Sequence, residues 1–294
     1  MKESTRELLK KVRYIEIKAD HLVENIVSGQ YASVFKGSGI EFEEVRQYEP
    51  GDDVRAIDWN VSARTGRPYI KKFVEERELT VMLLVDASFS SRFGTVGQTK
   101  AQIIAELVAV IALSAIKNND KVGLILFTDK VETFLPPKRG RRHVLRVIRD
   151  VLHQETKGRK TDISHALEYL DRVMTRRTVT FLISDFFAPD FSKALKLAAR
   201  KHDIIPILLE DPWDIEIPQI GLVQLEDLEN GEQMLIDTSD RRVREELRKL
   251  YEKDTRKRTE TFQSAGLDWI EIRTDESYIL PLKRFFYKRK KIAR

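Results

Sequence analysis

Hydrophobic residues recur with different spacings along the chain, and the change of spacing predicts how the chain divides into regions. Over residues 4–27, apolar residues recur at every third or fourth position, which indicates an amphipathic helix. Residues 31–78 hold short β-favouring segments separated by turns rich in glycine and proline, which is typical of a small β-rich region. From Thr80 onward, strongly apolar strands alternate with helices.

The alternating part of the chain predicts the fold class. The predicted strands are residues 80–86, 121–127, 130–135, 178–184, 203–210 and 267–272, with a further hairpin at 223–237. The predicted helices are residues 98–117, 140–154, 162–175, 190–201, 239–264 and 276–290. Strands that are apolar on both faces and separated by helices are typical of a parallel sheet covered on both sides.

We therefore predict an α/β fold with a doubly wound, mainly parallel sheet and a small N-terminal β-rich subdomain. The predicted boundary separates residues 1–78, which hold the N-terminal helix and the β-rich segment, from residues 79–294. The second part holds the sheet domain with its C-terminal hairpin and helices. In the first part, Trp59 is predicted to be a packing anchor, and Arg46, Arg55 and Asp58 to form a buried ion-pair network or to face a partner.

Composition narrows the function classes. The chain has 294 residues, of which 41% are hydrophobic and 34% charged, so it can bury a core and remain soluble. It has no cysteine, which excludes disulfides, thiolate zinc sites and cysteine nucleophiles. The N-terminus lacks the apolar segment of a secretory signal, and no apolar run reaches the roughly 20 residues of a membrane helix. We expect a cytoplasmic protein with no membrane span.

The net charge of +5 is a small excess of basic over acidic residues. Part of it lies in the tail at 283–294, which indicates either a nucleic-acid or membrane patch or a solvated helix end. We favour the solvated helix end and expect no nucleic-acid partner, because nothing else resembles a nucleic-acid module. A second basic cluster, Arg139, Arg141, Arg142 and His143, opens a predicted helix and suits either an acidic partner or solvent.

Oxygen-bearing side chains follow two of the predicted strands. The strand at 80–86 ends in Asp86, followed by Ser88 and Ser90, and Asp185 ends the strand at 178–184. In an open doubly wound sheet, ligands bind beyond the carboxyl ends of the strands, where the strand order reverses. If these two strands are neighbours, Asp86 and Asp185 face each other there, and the loop that holds Thr161 leads into the helix before the second strand.

The donor types predict a hard cation. Carboxylates and hydroxyls without a nearby histidine or cysteine suit Mg²⁺ or Ca²⁺ better than zinc or copper. The alternative is structural, since an aspartate and a serine at a strand end often only cap the next element.

These residues carry a resemblance. The D-x-S-x-S pattern at 86–90, Thr161 before a helix and Ser-Asp at 184–185 resemble the metal-ion-dependent adhesion site of von Willebrand factor A-type domains. The segment at 48–86 closely resembles the family called domain of unknown function fifty-eight. Members of that family pair such a segment with a von Willebrand factor A-like, Rossmann-type domain and are commonly linked to MoxR-type AAA+ ATPases.

The resemblance implies a ligand set. Ser88, Ser90 and Thr161 would coordinate Mg²⁺ directly, with Mn²⁺ or Ca²⁺ as alternatives, and Asp86 and Asp185 would act largely through water. An acidic side chain of a protein ligand would complete the coordination shell. The pattern departs from the family at position 89, where many A-type domains have glycine and this chain has phenylalanine.

The resulting expectation is a non-enzymatic, metal-dependent protein-interaction module that acts as an adaptor to a MoxR-type AAA+ ATPase in protein-complex assembly or maturation. One alternative is a Mg²⁺-dependent phosphotransfer enzyme or receiver that uses Asp86. A phosphotransfer enzyme of this kind would need a second aspartate where Ser88 stands, and a receiver would need an earlier acidic pair and a later lysine. A third hypothesis is a nucleic-acid binder that uses the basic tail at 283–294.

Overall fold

The computed structural model describes residues 5–23, 39–76, 79–92, 94–95, 98–153, 156, 158, 160–226 and 233–292. The chain divides into two compact units, a larger one made of Met1–Val34 and Thr80–Arg294 and a smaller one made of Phe35–Leu79. In this division the N-terminal helix belongs to the larger unit, whereas the predicted boundary placed it with the β-rich segment. The reason is its apolar face, which packs on helices of the larger unit.

The smaller unit is a two-stranded antiparallel ribbon with short helical turns between its strands. Strand β1, Gly39–Gln47, pairs with β2, Tyr69–Glu76. A 3-10 turn, Val54–Ala56, and helix α2, Trp59–Thr65, lie between them in the sequence. The strands confirm the predicted β-rich character. The β-favouring segment predicted at residues 31–35 lies outside the described residues.

Helix α2 was not predicted, and two further expectations for this region, Trp59 as a packing anchor and a buried ion-pair network, were wrong. That Arg46, Arg55 and Asp58 face a partner stays a prediction. Asp58 caps it by accepting hydrogen bonds from the backbone N–H groups of Asn60 and Val61, at 3.0 and 3.3 Å. Trp59 stands at its first position and is 71% exposed, so it is not a packing anchor. Arg46 pairs with Asp52 at 2.6 Å while its side chain stays 37% exposed, so the predicted network is not buried.

The larger unit is built on a six-stranded sheet. Its strands are β3 Thr80–Asp86, β4 Lys121–Phe127, β5 Val131–Lys138, β6 Val179–Ser184, β7 Asp203–Glu210 and β10 Ile270–Arg273. The order from edge to edge is β10–β7–β6–β3–β4–β5, and all neighbours are parallel except the hairpin pair β4 and β5. Numbered within the sheet, this is the 3-2-1-4-5-6 order of a doubly wound fold. The predicted fold class is therefore confirmed.

The remaining elements of this unit flank the sheet. Its helices are α1 Thr5–Leu22, α3 Lys100–Lys117, α4 Arg141–Leu152, α5 Ile163–Val173, α6 Ser192–Lys201, α7 Pro212–Ile215, α8 Arg241–Ser264 and α9 Ile279–Ile292. A separate antiparallel pair joins β8, Leu222–Glu226, to β9, Gln233–Asp237. The strands confirm the hairpin predicted at 223–237, and its turn lies outside the described residues.

Helices α5, α6 and α8 cover one face of the sheet, where Met82, Leu84 and Leu182 share a buried cluster with Leu167 and Phe262. Because side chains alternate along a strand, the intervening residues of β3 point to the opposite face. There α3 is buried along nearly its whole length, since α4 packs against it and α1 covers it with Leu8, Val12, Ile15 and Ala19. The helix predicted at 98–117 is therefore confirmed, and it is deeply buried. In the part of the chain that the structure describes, no helix combines the length and apolar character needed to cross a bilayer.

Candidate metal centre

The candidate site lies at the point where the strand order of the sheet reverses. Strand β3 leads into β4 on one side and lies beside β6 on the other. Asp86 is the last residue of β3, and Asp185 follows Ser184, the last residue of β6. Because the two strands are parallel neighbours, both carboxylates stand at the same edge of the sheet, where doubly wound folds bind ligands.

Asp86 is buried and accepts hydrogen bonds on both of its oxygens. Its Oδ1 accepts from the backbone N–H of Ser88 at 2.9 Å. Its Oδ2 accepts from the hydroxyl of Ser184 at 2.6 Å and, at 3.4 Å, from the hydroxyl of Thr161. The carboxylate is therefore tied at once to its own turn, to the neighbouring strand and to the loop before α5.

Ser88 and Ser90 present their hydroxyls to each other. The two Oγ atoms are 3.0 Å apart. After β3 the chain turns into a 3-10 helix, Phe89–Arg92, and the side chains of the two serines lie on the same side of this turn. Phe89, which stands between the serines, is half-buried.

The electrostatics of the pair are unbalanced. Burial first, and then the negative charge of Asp185, raise the pKa of Asp86 to about 6, although the hydrogen bonds from Ser184 and Ser88 offset part of the shift. Asp86 and Asp185 are only 2% and 4% exposed. Two buried carboxylates that repel each other are stabilised by a cation between them.

One buried cation of the protein already lies beside this pair. The Nζ of Lys100, at the start of α3, is 3.2 Å from Asp185 Oδ2 and 2.9 Å from Asp214 Oδ2. Burial alone would lower the pKa of Lys100, but the charges of Asp185 and Asp214 outweigh it and raise that pKa. The ammonium is thus divided between two carboxylates and contacts the partner of Asp86 at the candidate site.

The backbone after Asp185 is fixed by helix α8. Phe186 is buried in the left-handed conformation, with φ of 57°, which is strained for a bulky residue and needs packing to hold it. Its ring packs edge-on against Phe262 at 4.9 Å between centroids. Arg258 of the same helix donates from Nη1 to the carbonyl oxygen of Asp185 at 2.8 Å. These contacts fix the direction in which the carboxylate of Asp185 points.

The loop that carries Thr161 is held in place by hydrogen bonds to the turn and the strand that follow β4. The backbone N–H of Asp162 donates to the carbonyl of Thr128 at 2.9 Å, and that of Gly158 donates to Glu132 at 2.8 Å. A Cβ at Gly158 would lie 2.1 Å from the hydroxyl of Thr128, so only glycine fits this approach.

Hydrogen bonds link Asp86 to Ser88 and Thr161, and Ser88 to Ser90, so four of the five predicted residues are in direct contact. The fifth, Asp185, acts on Asp86 through the repulsion between the two carboxylates. Sequence reasoning missed three further residues. Ser184 was visible beside Asp185 in the quoted motif, whereas Lys100 had only the weak signal of a lysine opening a wholly buried helix. Arg258 lies in a helix full of charges and had no signal.

The donor set fits a hard divalent cation. All side-chain groups around Asp86 are oxygen donors, which Mg²⁺ prefers over the softer ligands of zinc. Among the described residues, no group of three or more histidines, cysteines, aspartates and glutamates is placed to hold a metal. Any ion here would therefore depend on hydroxyls as well as carboxylates.

Comparison with known proteins gives one family and several relatives. The family described as protein of unknown function DUF58 matches residues 44–258, which is more than half of the chain. The uncharacterized protein Rv1480 from Mycobacterium tuberculosis is 29% identical over 287 residues, covering 96% of this chain and 90% of that protein.

Two solved structures are also similar. The conserved hypothetical protein BatB from Bacteroides thetaiotaomicron is 19% identical, with 73% of this chain and 98% of that chain covered and a TM-score of 0.46. The SpRpn10 VWA domain is 14% identical, with 70% and 93% covered and a TM-score of 0.41. Both scores are below 0.5, so the assignment of the fold rests on the observed strand order.

Proposed function

Since the chain belongs to the DUF58 family, we propose that it is a protein-interaction module whose docking depends on a divalent cation, Mg²⁺ first, at the carboxyl edge of its sheet. The observation that supports this most strongly is the buried pair Asp86 and Asp185, with the pKa of Asp86 raised to about 6 by burial and by the second charge. A cation offsets that repulsion.

The residues divide into two roles. Ser88, Ser90 and Thr161 offer hydroxyl oxygens for direct coordination, while Asp86 and Asp185 act through water. Both oxygens of Asp86 already accept hydrogen bonds, which is consistent with an indirect role. A cation contacted mainly by neutral oxygens and water keeps its affinity for an anionic ligand, so a carboxylate of a partner protein would complete its coordination.

Calorimetric titration of Mg²⁺ and Mn²⁺ tests the metal claim. We expect one site in the wild type, no binding in Asp86→Ala, and strongly reduced binding in Ser88→Ala. Thr178→Val, which changes a buried threonine at the other end of β6, is the matched control and should bind as the wild type does. Equal binding by the wild type and Asp86→Ala would remove the metal from the proposal.

For the partner, we propose a MoxR-type AAA+ ATPase, with this chain as its adaptor in protein-complex assembly or maturation. The support is the family resemblance of the segment at 48–86. A pull-down with the MoxR-type ATPase of the same source organism should retain the complex in Mg²⁺ and lose it in EDTA and in Asp86→Ala. Retention that EDTA does not alter would contradict docking through the metal.

Phosphotransfer through Asp86 fits the geometry less well, because its side chain is 2% exposed and both oxygens are occupied by hydrogen bonds. Incubation with acetyl phosphate followed by mass spectrometry distinguishes the two functions. We expect no adduct on Asp86, and a stoichiometric one would favour the enzyme.

A further inference from the structure

A groove between helices α1 and α4 combines an apolar floor with a rim of arginines. Helix α1 buries one side on its neighbours and leaves Leu9 and Ile17 exposed, at 57% and 62%. These two residues and Arg13 are spaced by four, so they form one row along the helix. The row faces α4 across a groove of about 690 Å³ that both helices line.

Helix α4 contributes most of the charge. The groove is lined by Leu9, Val12, Arg13, Glu16, Ile17, Arg141, Arg142, Leu145, Arg146 and Arg149. Five of these residues are arginines and one is a glutamate, so the lining carries a net charge of +4, close to the +5 of the whole chain. The groove is thus a concentration of positive charge in addition to the basic tail at 283–294.

Ion pairs within the protein neutralise only part of this positive charge. Arg141 joins the two helices by pairing with Glu16 at 2.8 Å and with Asp20. Arg146 and Arg149 share one carboxylate, Asp150, at 3.6 and 2.7 Å.

Two arginines of the rim stay available. Among the described residues, neither Arg13 nor Arg142 has a carboxylate within 4.0 Å. Guanidinium groups bind carboxylates through two parallel hydrogen bonds, so such a rim selects acidic side chains.

We propose that this groove binds an acidic amphipathic helix of a partner protein. Its apolar side chains would pack between Leu9, Ile17 and Leu145, and its carboxylates would pair with Arg13 and Arg142. This is the helix-in-groove mode of recognition, in which an apolar face is buried and flanking charges fix the orientation.

The lining favours a peptide over other polyanions. Its described residues include no aromatic side chain for base stacking, and phosphates would leave the leucine and isoleucine floor without a partner. A flat anionic bilayer would reach only the arginine rim of a concave site. No residue of the candidate metal centre lines the groove, so the two proposals stand independently.

Fluorescence anisotropy with the full-length protein tests the proposal. The probe is a fluorescein-labelled 18-residue peptide with leucine at every third or fourth position and glutamate on both flanks. A scrambled peptide of the same composition is the control probe. We expect the amphipathic peptide to bind at least tenfold more tightly than the scrambled one, and EDTA to leave that binding unchanged.

Variants locate the site. Arg142→Glu with Arg146→Glu should weaken binding at least tenfold, while Arg172→Glu with Arg176→Glu makes the same charge change on exposed positions elsewhere and should not. Ile17→Ser should weaken the amphipathic peptide severalfold without lowering the melting temperature, because Ile17 is exposed.

Four outcomes would overturn the proposal. These are no binding of the amphipathic peptide, equal binding of the scrambled peptide, equal loss in both arginine pairs, and loss of binding in EDTA. Tighter binding of duplex DNA or of phosphatidylserine vesicles than of the peptide, with the same dependence on Arg142 and Arg146, would assign the groove to those ligands instead.

Discussion

Both ends of the central sheet bury polar side chains, but the interactions that compensate for this burial differ between the two ends. At the amino end, the hydroxyl of Thr178 lies 2.8 Å from that of Thr180 and 2.8 Å from Nδ1 of His202. The backbone N–H of Thr178 donates to the same Nδ1 at 3.2 Å. At the carboxyl end, the carboxyl groups of Asp86 and Asp185 are neighbours, and the ammonium of Lys100 is divided between Asp185 and Asp214.

The difference lies in charge and not in burial. Burial lowers the pKa of His202, whose Nε2 lies 3.0 Å from Asp171 Oδ1, so at the amino end a carboxylate faces an imidazole while the hydroxyls bond to each other and to the ring. Burial also raises the pKa of Asp86, but there the neighbouring Asp185 adds repulsion that the local hydrogen bonds only partly offset. A buried polar cluster is therefore weak evidence for a site, whereas excess charge at the point of strand-order reversal is stronger evidence.

The largest effect is expected for Lys100→Met, which removes the only ammonium that the structure shows beside Asp185 among the described residues. Breaking a buried ion pair on one side costs about 3–5 kcal/mol, so the free energy of unfolding without metal should fall by that order. At a Mg²⁺ concentration a hundredfold above the wild-type Kd, which stabilises the wild type by roughly 2.7 kcal/mol, Lys100→Met should gain more, because without the ammonium its carboxylates bind the cation more tightly. Urea unfolding with and without Mg²⁺ measures both changes.

A matched change at the other end of the sheet sharpens the comparison. Thr178→Val should lower the basal stability through its lost hydrogen bonds and leave the gain from Mg²⁺ at the wild-type value. If Mg²⁺ stabilised Lys100→Met less than the wild type, the cation would not replace the missing charge, and the proposed electrostatic role of the site would be wrong.

A smaller effect is expected for Gly158→Ala. The new Cβ would lie 1.9 Å from Asp129 Oδ1 and 2.1 Å from Thr128 Oγ1, so the loop before α5 must shift. Overpacking of this kind costs about 1–3 kcal/mol, and the shift carries Thr161 away from Asp86. Calorimetry should show weaker Mg²⁺ binding. Gly51→Ala has nothing within 4 Å of its Cβ but is strained by a φ of 112°, so it is the control for a strained glycine in the smaller unit and should bind Mg²⁺ as the wild type does.

The sequence predicted the fold accurately in segments where a single hydrophobic pattern continued without interruption. The strands at 80–86, 121–127 and 203–210 have the predicted bounds, because runs that are apolar on both faces allow little else. Helix α2 was missed because its stretch, Trp59–Thr65, lies among turn residues and has no apolar stripe. Its stability comes from the Asp58 cap, which a periodicity argument does not detect.

The residues of the candidate site likewise divide into those that the sequence could predict and those that it could not. Asp86 and Asp185 could be predicted because topology fixes where the ends of neighbouring parallel strands meet. Lys100 and Arg258 could not, since their contacts depend on how α3 and α8 pack across the edge of the sheet. Whether Phe89 affects the choice of ligand stays a prediction.

The two ends of the sheet should respond to pH with opposite signs. Because the folded pKa of His202 is lowered by burial, its contribution is present above the unfolded value of about 6.5 and is lost as pH falls below it. Because the folded pKa of Asp86 is raised to about 6, metal-free protein gains stability as pH falls through that value. Each slope is at most about 1.4 kcal/mol per pH unit and proton.

Two variants separate these slopes in urea unfolding between pH 8 and pH 5.5. His202→Gln should remove the loss on acidification, and Asp86→Asn should remove the gain, each measured as the difference from the wild type at the same pH. The neighbours that face His202 are Asp171, Lys201 and Arg177, and they are unchanged in both proteins. A His202→Gln difference that did not vary with pH would contradict the lowered pKa of His202.

The smallest effect is expected for Arg258→Lys, which tests whether α8 helps to position the carboxyl end. Arg258 forks between the carbonyl of Asp185 at 2.8 Å and the hydroxyl of Thr255 at 2.7 Å, and its guanidinium lies 4.4 Å from the ring centroid of Phe187. Lysine keeps the charge but cannot make this fork or stack flat on the ring. Mg²⁺ affinity should fall severalfold, less than the roughly tenfold or more typical of residues that orient a ligand side chain directly, because Arg258 acts through the backbone. Thr255→Val leaves the bond to Asp185 intact and should bind Mg²⁺ as the wild type does, so equal affinity in all three proteins would show that α8 covers the site without positioning it.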